Sequence, residues 1–364
     1  MPHRAVAALQ ETLRPHVGLS KSRLETLSLI VVGMVSARTV NLSHLASERP
    51  GTARIASTYR RLQRFFQHVA LADDWAAPLI VGLLGLRGSW DLALDRTQWR
   101  IGTKDVNVLV LAAVTGRYRV PLLWTPLDKR GNSATDERVA LLRRYLELFG
   151  ASTIRRLLAD REFVGREWLE FLCENNIDFA IRLKENLRVT TEEGHELTLL
   201  ARLRRSRCRS FRARLGLEDA EAAGERPLLN FAARPLRDGE WLIVVSSGDA
   251  RKALQAYRKR WAIECLFGDA KTRGLNLEDT RLTAPRKLHL LLALVALALA
   301  WAGRVATALL GPRMPKRKAH GHFAKSVFRT GFDEARRLLR TDPAAAVTEW
   351  RRLASKPPKS QRVV

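Results

Sequence analysis

Cysteine is scarce in this 364-residue chain: Cys173, Cys208 and Cys265 stand far apart. No pair has zinc-ligand spacing, and an odd count argues against a disulfide framework, so a reduced, cytosolic setting is expected. Acidic residues are few as well. Against 63 Lys and Arg stand only 37 Asp and Glu, a formal charge of +26. That balance points to a polyanion, nucleic acid before an anionic membrane surface. A long apolar run is also missing. The longest, LLLALVALALAWA from Leu290 to Ala302, is short for a membrane span and reads as a buried helix. The opening MPHRAVAALQETLRPHVG lacks the apolar core of a signal segment. No internal repeat or low-complexity tract stands out.

What is present is a core-forming chain, 46% hydrophobic and long enough for two or three packed units. Residues 1–85 carry helix-length apolar patterns broken at Val40–Asn41 and Pro50–Gly51, with Ser43 opening a short helix. TYRRLQRFFQH forms a basic amphipathic helix, so this part reads as a DNA-binding unit of the helix-turn-helix sort. From residue 88 the period shortens. WDLALDRTQW, VNVLVLAAVT and RVPLLWTPL read as strands, the last two joined at Gly116–Arg117. A helix over 133–149, the strand TIRRLLAD, the helix REWLEFLCEN and the strand DFAIRLKEN follow. This βββαβαβ order predicts an α/β core, a mixed five-stranded sheet flanked by helices, over 88–185.

Residues 186–246 read as a β-rich insertion, in which alternating Arg205, Arg207 and Arg209 would share one strand face. The core resumes over 247–310, and 311–364 is a basic helical tail ending in a disordered SKPPKSQRVV.

Three carboxylates stand where chemistry could use them. Asp95 in LALDRTQW and Asp160 in RLLADREF close predicted strands, the place where ligands gather on open α/β sheets. Glu264 lies in YRKRWAIECLFGDAK (257–271). Drawn as one helix, that stretch sets Tyr257, Arg260, Glu264 and Lys271 within roughly 60° of one another, with Ile263, Leu266 and Ala270 opposite. Carboxylates brought together repel unless a cation compensates, and oxygen-only ligands suit Mg2+ or Mn2+. Two such ions would serve an in-line phosphoryl displacement, as in a nuclease. Equally, an Asp at a strand end can be a turn residue, and Arg260–Glu264 a surface ion pair. Asp91, Asp136, Asp269 and Asp279 compete for the same role.

Tyr257-x2-Arg260-x3-Glu264-x6-Lys271 resembles the Y-x2-R-x3-E-x6-K signature of the DDE transposases of bacterial insertion sequences, in the cut-and-paste branch. LDRT around Asp95 and ADREF around Asp160 look like the family's first and second aspartate motifs. The resemblance implies a ribonuclease-H-like core in which Asp95, Asp160 and Glu264 bind two Mg2+ or Mn2+ ions. It further implies binding of double-stranded DNA at terminal inverted repeats, strand hydrolysis, hairpin formation and joining of a 3′-OH to target DNA. Neither ATP nor a covalent protein–DNA intermediate is implied. Tyr257, Arg260 and Lys271 would hold DNA phosphates near the cleaved end, Arg182 and Lys184 would contact DNA, and Trp241 would stack on a flipped base unless it is a core residue of the insertion. Gly268 stands where relatives often carry a lysine, which removes one phosphate contact. A homodimer acting in the cytoplasm, at the nucleoid, is the expected assembly. Two other readings share these residues: an inert DNA-binding regulator derived from a transposase, and a structure-specific nuclease.

Overall fold

The computed structural model describes residues 3–49, 51–205, 209–216, 226–319 and 323–354. Five helices come first: α1 (His3–Leu13), α2 (Lys21–Ala37), α3 (Leu42–Ser47), α4 (Ile55–His68) and α5 (Ala76–Leu84). Asn41, and not Ser43, caps α3: its side chain accepts the Ser43 amide at 3.1 Å.

Strands β1 (Trp90–Ile101), β2 (Lys104–Val114) and β3 (Arg119–Leu127) form the antiparallel meander. Two residues join β1 to β2, and Gly102 supplies the left-handed φ of +61° that so tight a turn asks for. Then come α6 (Thr135–Phe149), β4 (Ile154–Ala159), α7 (Arg166–Glu174) and β5 (Phe179–Leu183). β4 pairs parallel with β1, and β5 parallel with β4, giving the order β3-β2-β1-β4-β5. The βββαβαβ core is therefore present at its expected positions.

The sheet does not stop at five strands. β6 (Arg188–Thr191), β7 (Glu196–Thr198), α8 (Leu199–Arg205), β8 (Ser210–Gly216), β9 (Leu228–Pro235) and β10 (Trp241–Ser246) follow. Their strands continue the same sheet in the order β5-β10-β9-β8-β6-β7, making ten in all. Val244 pairs with Arg182 and Ile243 with Leu183, so the free edge of β5 finds its backbone partners in β10. The insertion is thus an extension of the core sheet, and the five-stranded expectation is corrected. The arginine alternation is corrected too. Leu199 and Leu203 are buried one turn apart, which makes LLARLRR a helix ending at Arg205, while Arg209 precedes β8. Arg207 and Cys208 lie outside the described residues.

The chain returns through α9 (Ala250–Tyr257) and α10 (Trp261–Ala270) to α11 (Pro285–Leu310), α12 (Val327–Thr341) and α13 (Pro343–Ala346). Pro285 opens α11, where its fixed φ suits the first turn. At 26 residues α11 is long and apolar enough to cross a membrane, yet 83% of its most apolar window is buried inside the protein. It packs on α2, α5, α12 and β3, and Trp301 donates its indole N–H to the Ala346 carbonyl at 3.0 Å. The N-terminal helices and the C-terminal segment therefore share one helical layer around α11. SKPPKSQRVV lies outside the described residues.

Gly331 lets α12 touch α11 backbone to backbone. A Cβ there would stand 1.8 Å from the Ala302 carbonyl oxygen and 2.6 Å from the Ala306 nitrogen. Gly331→Ala is accordingly expected to cost about 3 kcal/mol by overpacking. Thermal unfolding checks it: an unchanged melting temperature would show that α12 is seated elsewhere.

Candidate active site

Asp95 and Asp160 become neighbours through strand register. Leu94 of β1 pairs with Ala159 of β4, so the next residue on each chain is an aspartate, at the C-terminal end of β4. Alternation puts Asp91, Asp95 and Trp99 on one face of β1. The segment from Tyr257 to Lys271 crosses that face. Lys259 Nζ donates to Asp91 Oδ2 at 2.6 Å, Arg260 Nη1 to Asp95 Oδ2 at 3.1 Å, and the Lys271 ammonium lies 5.8 Å from the Trp99 ring.

That segment is not one helix. α9 ends at Tyr257, a 3-10 turn spans Arg258–Arg260, and Lys271 follows the end of α10 with φ −88° and ψ −132°. The single-face projection of four residues is thereby corrected: the tighter turn breaks the regular rotation of side chains. Three of the four still converge. Tyr257 Oη donates to Asp160 Oδ1 at 3.1 Å, and Arg260 Nη2 donates to Glu264 Oε1 at 2.5 Å. One guanidinium, 12% exposed, thus ties a carboxylate from β1 to one from α10. Lys271 stands apart, donating to the Gln98 carbonyl at 2.7 Å and pairing with Glu278 at 3.1 Å.

The remaining sequence candidates lie around this centre without touching its carboxylates. Arg182 on β5 pairs with Glu240 at 3.3 Å and keeps a buried Nε with no hydrogen-bond partner among the described residues. Lys184 is exposed one residue past β5. Trp241 opens β10 at the same end of the sheet, half-buried, its amide donating to Glu185 Oε1 at 2.5 Å. The Arg209 guanidinium covers its ring at 4.4 Å from the centroid. Over Gly268 passes the Arg273 side chain, whose Cζ would stand 3.4 Å from an added Cβ.

The competing aspartates have structural employment. Asp91 holds Lys259, Asp269 holds Arg119 at 2.7 Å, Asp279 accepts the Thr39 hydroxyl at 3.1 Å, and Asp136 sits exposed in the first turn of α6. What sequence reading missed is Glu162. Arg96 Nε donates to it at 2.8 Å, with Asn107 and Asn132 on the same guanidinium, and the Arg138 guanidinium holds its carbonyl at 3.1 Å. Its place two residues after Asp160 was the available signal.

Burial pushes the Asp95 carboxyl up to about 6; Glu162 and Asp160 add to this, while the Arg96 amide and Arg260 oppose it. Burial likewise raises the Tyr257 hydroxyl, keeping it a proton donor to Asp160. Among the described residues no three His, Cys, Asp or Glu side chains are grouped to grip one metal ion as they stand. Arg260 supplies the positive charge between Asp95 and Glu264. The donors themselves fit a hard divalent cation, being all carboxylate oxygen. The burial and repulsion that raise Asp95 are the penalties such an ion would relieve.

A raised carboxyl opposes folding in its ionised form. Its favourable contribution is present below pH 4 and lost as pH rises through about 6. Asp95→Asn, which mimics the neutral acid, is therefore expected to stabilise the metal-free protein at pH 7.5 by on the order of 2–3 kcal/mol, and to change little at pH 4. Denaturant unfolding at the two pH values checks this; equal stability of variant and parent at pH 7.5 would contradict it.

Residues 88–301, more than half of the chain, match the family model described as a transposase DDE domain. The match begins just before β1, ends within α11, and contains Asp95, Asp160 and Glu264. No curated protein matches the chain.

Proposed function

Because the chain belongs to the DDE transposases, we propose that it moves a bacterial insertion sequence by cut and paste. The family implies a ribonuclease-H-like fold, DNA as partner and dependence on divalent metal, and the mixed sheet flanked by helices agrees with that fold. In this reading the N-terminal helices hold the terminal inverted repeats. The catalytic core then hydrolyses a strand at the element's end, forms a hairpin and joins the 3′-OH to target DNA. A homodimer pairs two ends, at the bacterial nucleoid in the cytoplasm. The observation that supports the reading is the register that sets Asp95 beside Asp160, with Arg260 tying Asp95 to Glu264 and Tyr257 donating to Asp160.

Asp95, Asp160 and Glu264 would hold two ions, Mg2+ or Mn2+, which when bound activate a water or 3′-hydroxyl and stabilise the leaving oxygen. The protein's own groups do the positioning. Arg260 carries two N–H edges toward carboxylates, and the same fork matches a phosphate bidentately. Tyr257 orients Asp160 through its hydroxyl proton. The Nε of Arg182, without a hydrogen-bond partner among the described residues, is a buried donor suited to an anionic oxygen. At the same end of the sheet, Trp241 offers an aromatic ring for an unstacked base in exchange for Arg209.

The test is incubation with Mg2+ and a duplex carrying the inverted repeats that flank the gene. The expected result is a nick at the element end, then a hairpin, then a joined product. Binding without nicking would assign an inert regulator, and nicking without joining a structure-specific nuclease.

A further inference from the structure

The basic helix α4 has two kinds of arginine. Arg61 is consumed inside the protein, on Glu25, Thr26 and the Ser22 carbonyl. Arg60, Gln63, Arg64 and Gln67 are exposed, and no hydrogen bond or ion pair among the described residues engages their side chains. At about 100° per residue Arg60, Gln63 and Gln67 fall within roughly 60° of one another, with Arg64 on their flank. Thr58, Leu62, Phe65 and Phe66 are buried on the far side. The helix contains no acidic residue.

Long polar side chains held on one rigid face, with no partner of their own, lose few existing contacts on binding. Glutamine pairs bidentately with adenine and arginine with guanine. α3 packs against α4. Beside α4 runs a groove whose other wall carries Arg281 and Lys287, cations placed to meet a phosphate strand. That wall is fastened to α4 by Arg286, which donates to the Gln67 carbonyl at 2.5 Å. Thr39–Asp279 fastens it further to the N-terminal helices, and Lys271–Glu278 fastens it to the catalytic side.

We propose that α4 is the sequence-reading helix of this protein: it enters the major groove of double-stranded DNA, with Gln63 and Gln67 reading neighbouring base pairs and Arg281 and Lys287 on the flanking phosphates. This rests on the DNA-joining reading above and adds to it the residues that choose the site.

The experiment is selection of duplexes from a pool with a randomised central stretch, using the full chain without divalent ions. The parent protein enriches a defined sequence. Gln63→Ala with Gln67→Ala relaxes the preference at adjacent base pairs, roughly ten- to a hundredfold at each. The dependence of affinity on salt stays the same, since neither side chain meets a phosphate. Both sites are exposed helix positions, so the melting temperature is unchanged, which separates lost reading from lost folding. Identical enrichment by the double variant overturns the proposal. A parent that nicks element ends yet enriches nothing overturns it alone. Enrichment through α4 by a protein that nicks no end leaves it standing and overturns the transposition reading instead.

Discussion

Glu264→Gln is expected to leave the protein folded and bound to element ends while cleavage falls on the order of a thousandfold. Glutamine keeps the length of the side chain and an oxygen for Arg260 Nη2, so what disappears is one negative charge. The pair it weakens is about a third exposed on the glutamate side and spans one helical turn, where ion pairs contribute little to stability. Nothing else in the described residues hydrogen-bonds the Glu264 side chain. Folding therefore loses almost nothing. The chemical step loses one of the three carboxylates that would hold the ions, and with it about 4 kcal/mol of transition-state stabilisation. Cleavage of end-labelled duplex in Mg2+, beside filter binding of the same duplex, separates the two effects. Cleavage within tenfold of the parent would remove Glu264 from the catalytic set. A matching loss of binding would mean that the substitution had disturbed the docking surface.

The parts of this centre that could be read from sequence are those carried by short-range pattern. Strand alternation placed β1 to β5 closely, and the ends of β1's apolar half and of β4 put Asp95 and Asp160 on adjacent rungs. Long-range pairing was not legible. Whether β10 joins β5 depends on which edge is free, and no local pattern in EWLIVVSS distinguishes a separate sheet from an extension. The helix projection of 257–271 failed for a related reason. The consecutive RKR at 258–260 must send Lys259 to Asp91 and Arg260 to Asp95 on one strand face, and a 3-10 turn in place of a regular α-helix meets both demands. Glu162 went unread because its importance comes from Arg96 and Arg138, which approach from β1 and α6.

Arg260→Met is expected to act in opposite directions on two measurements, lowering cleavage by at least about a hundredfold and raising the affinity of the DNA-free protein for Mn2+. The guanidinium is nearly buried and is the charge that Asp95 and Glu264 share. Without it two carboxylates, with Asp160 and Glu162 nearby, are left uncompensated, at a cost of about 3–5 kcal/mol at neutral pH. Asp95 already holds its proton up to about 6, and losing Arg260 raises it further. The destabilisation is therefore largest above that range and shrinks at pH 5, where the carboxyl is neutral. A divalent ion supplies the missing charge, so Mn2+ restores stability in proportion to its binding. In the parent protein a phosphate that draws Arg260 away from Asp95 and Glu264 would have the same consequence, coupling DNA engagement to ion binding. Calorimetric titration of Mn2+ into parent and variant decides the point. Equal or weaker binding by the variant would show that Arg260 is not holding the cation's place, and would confine its role to the DNA.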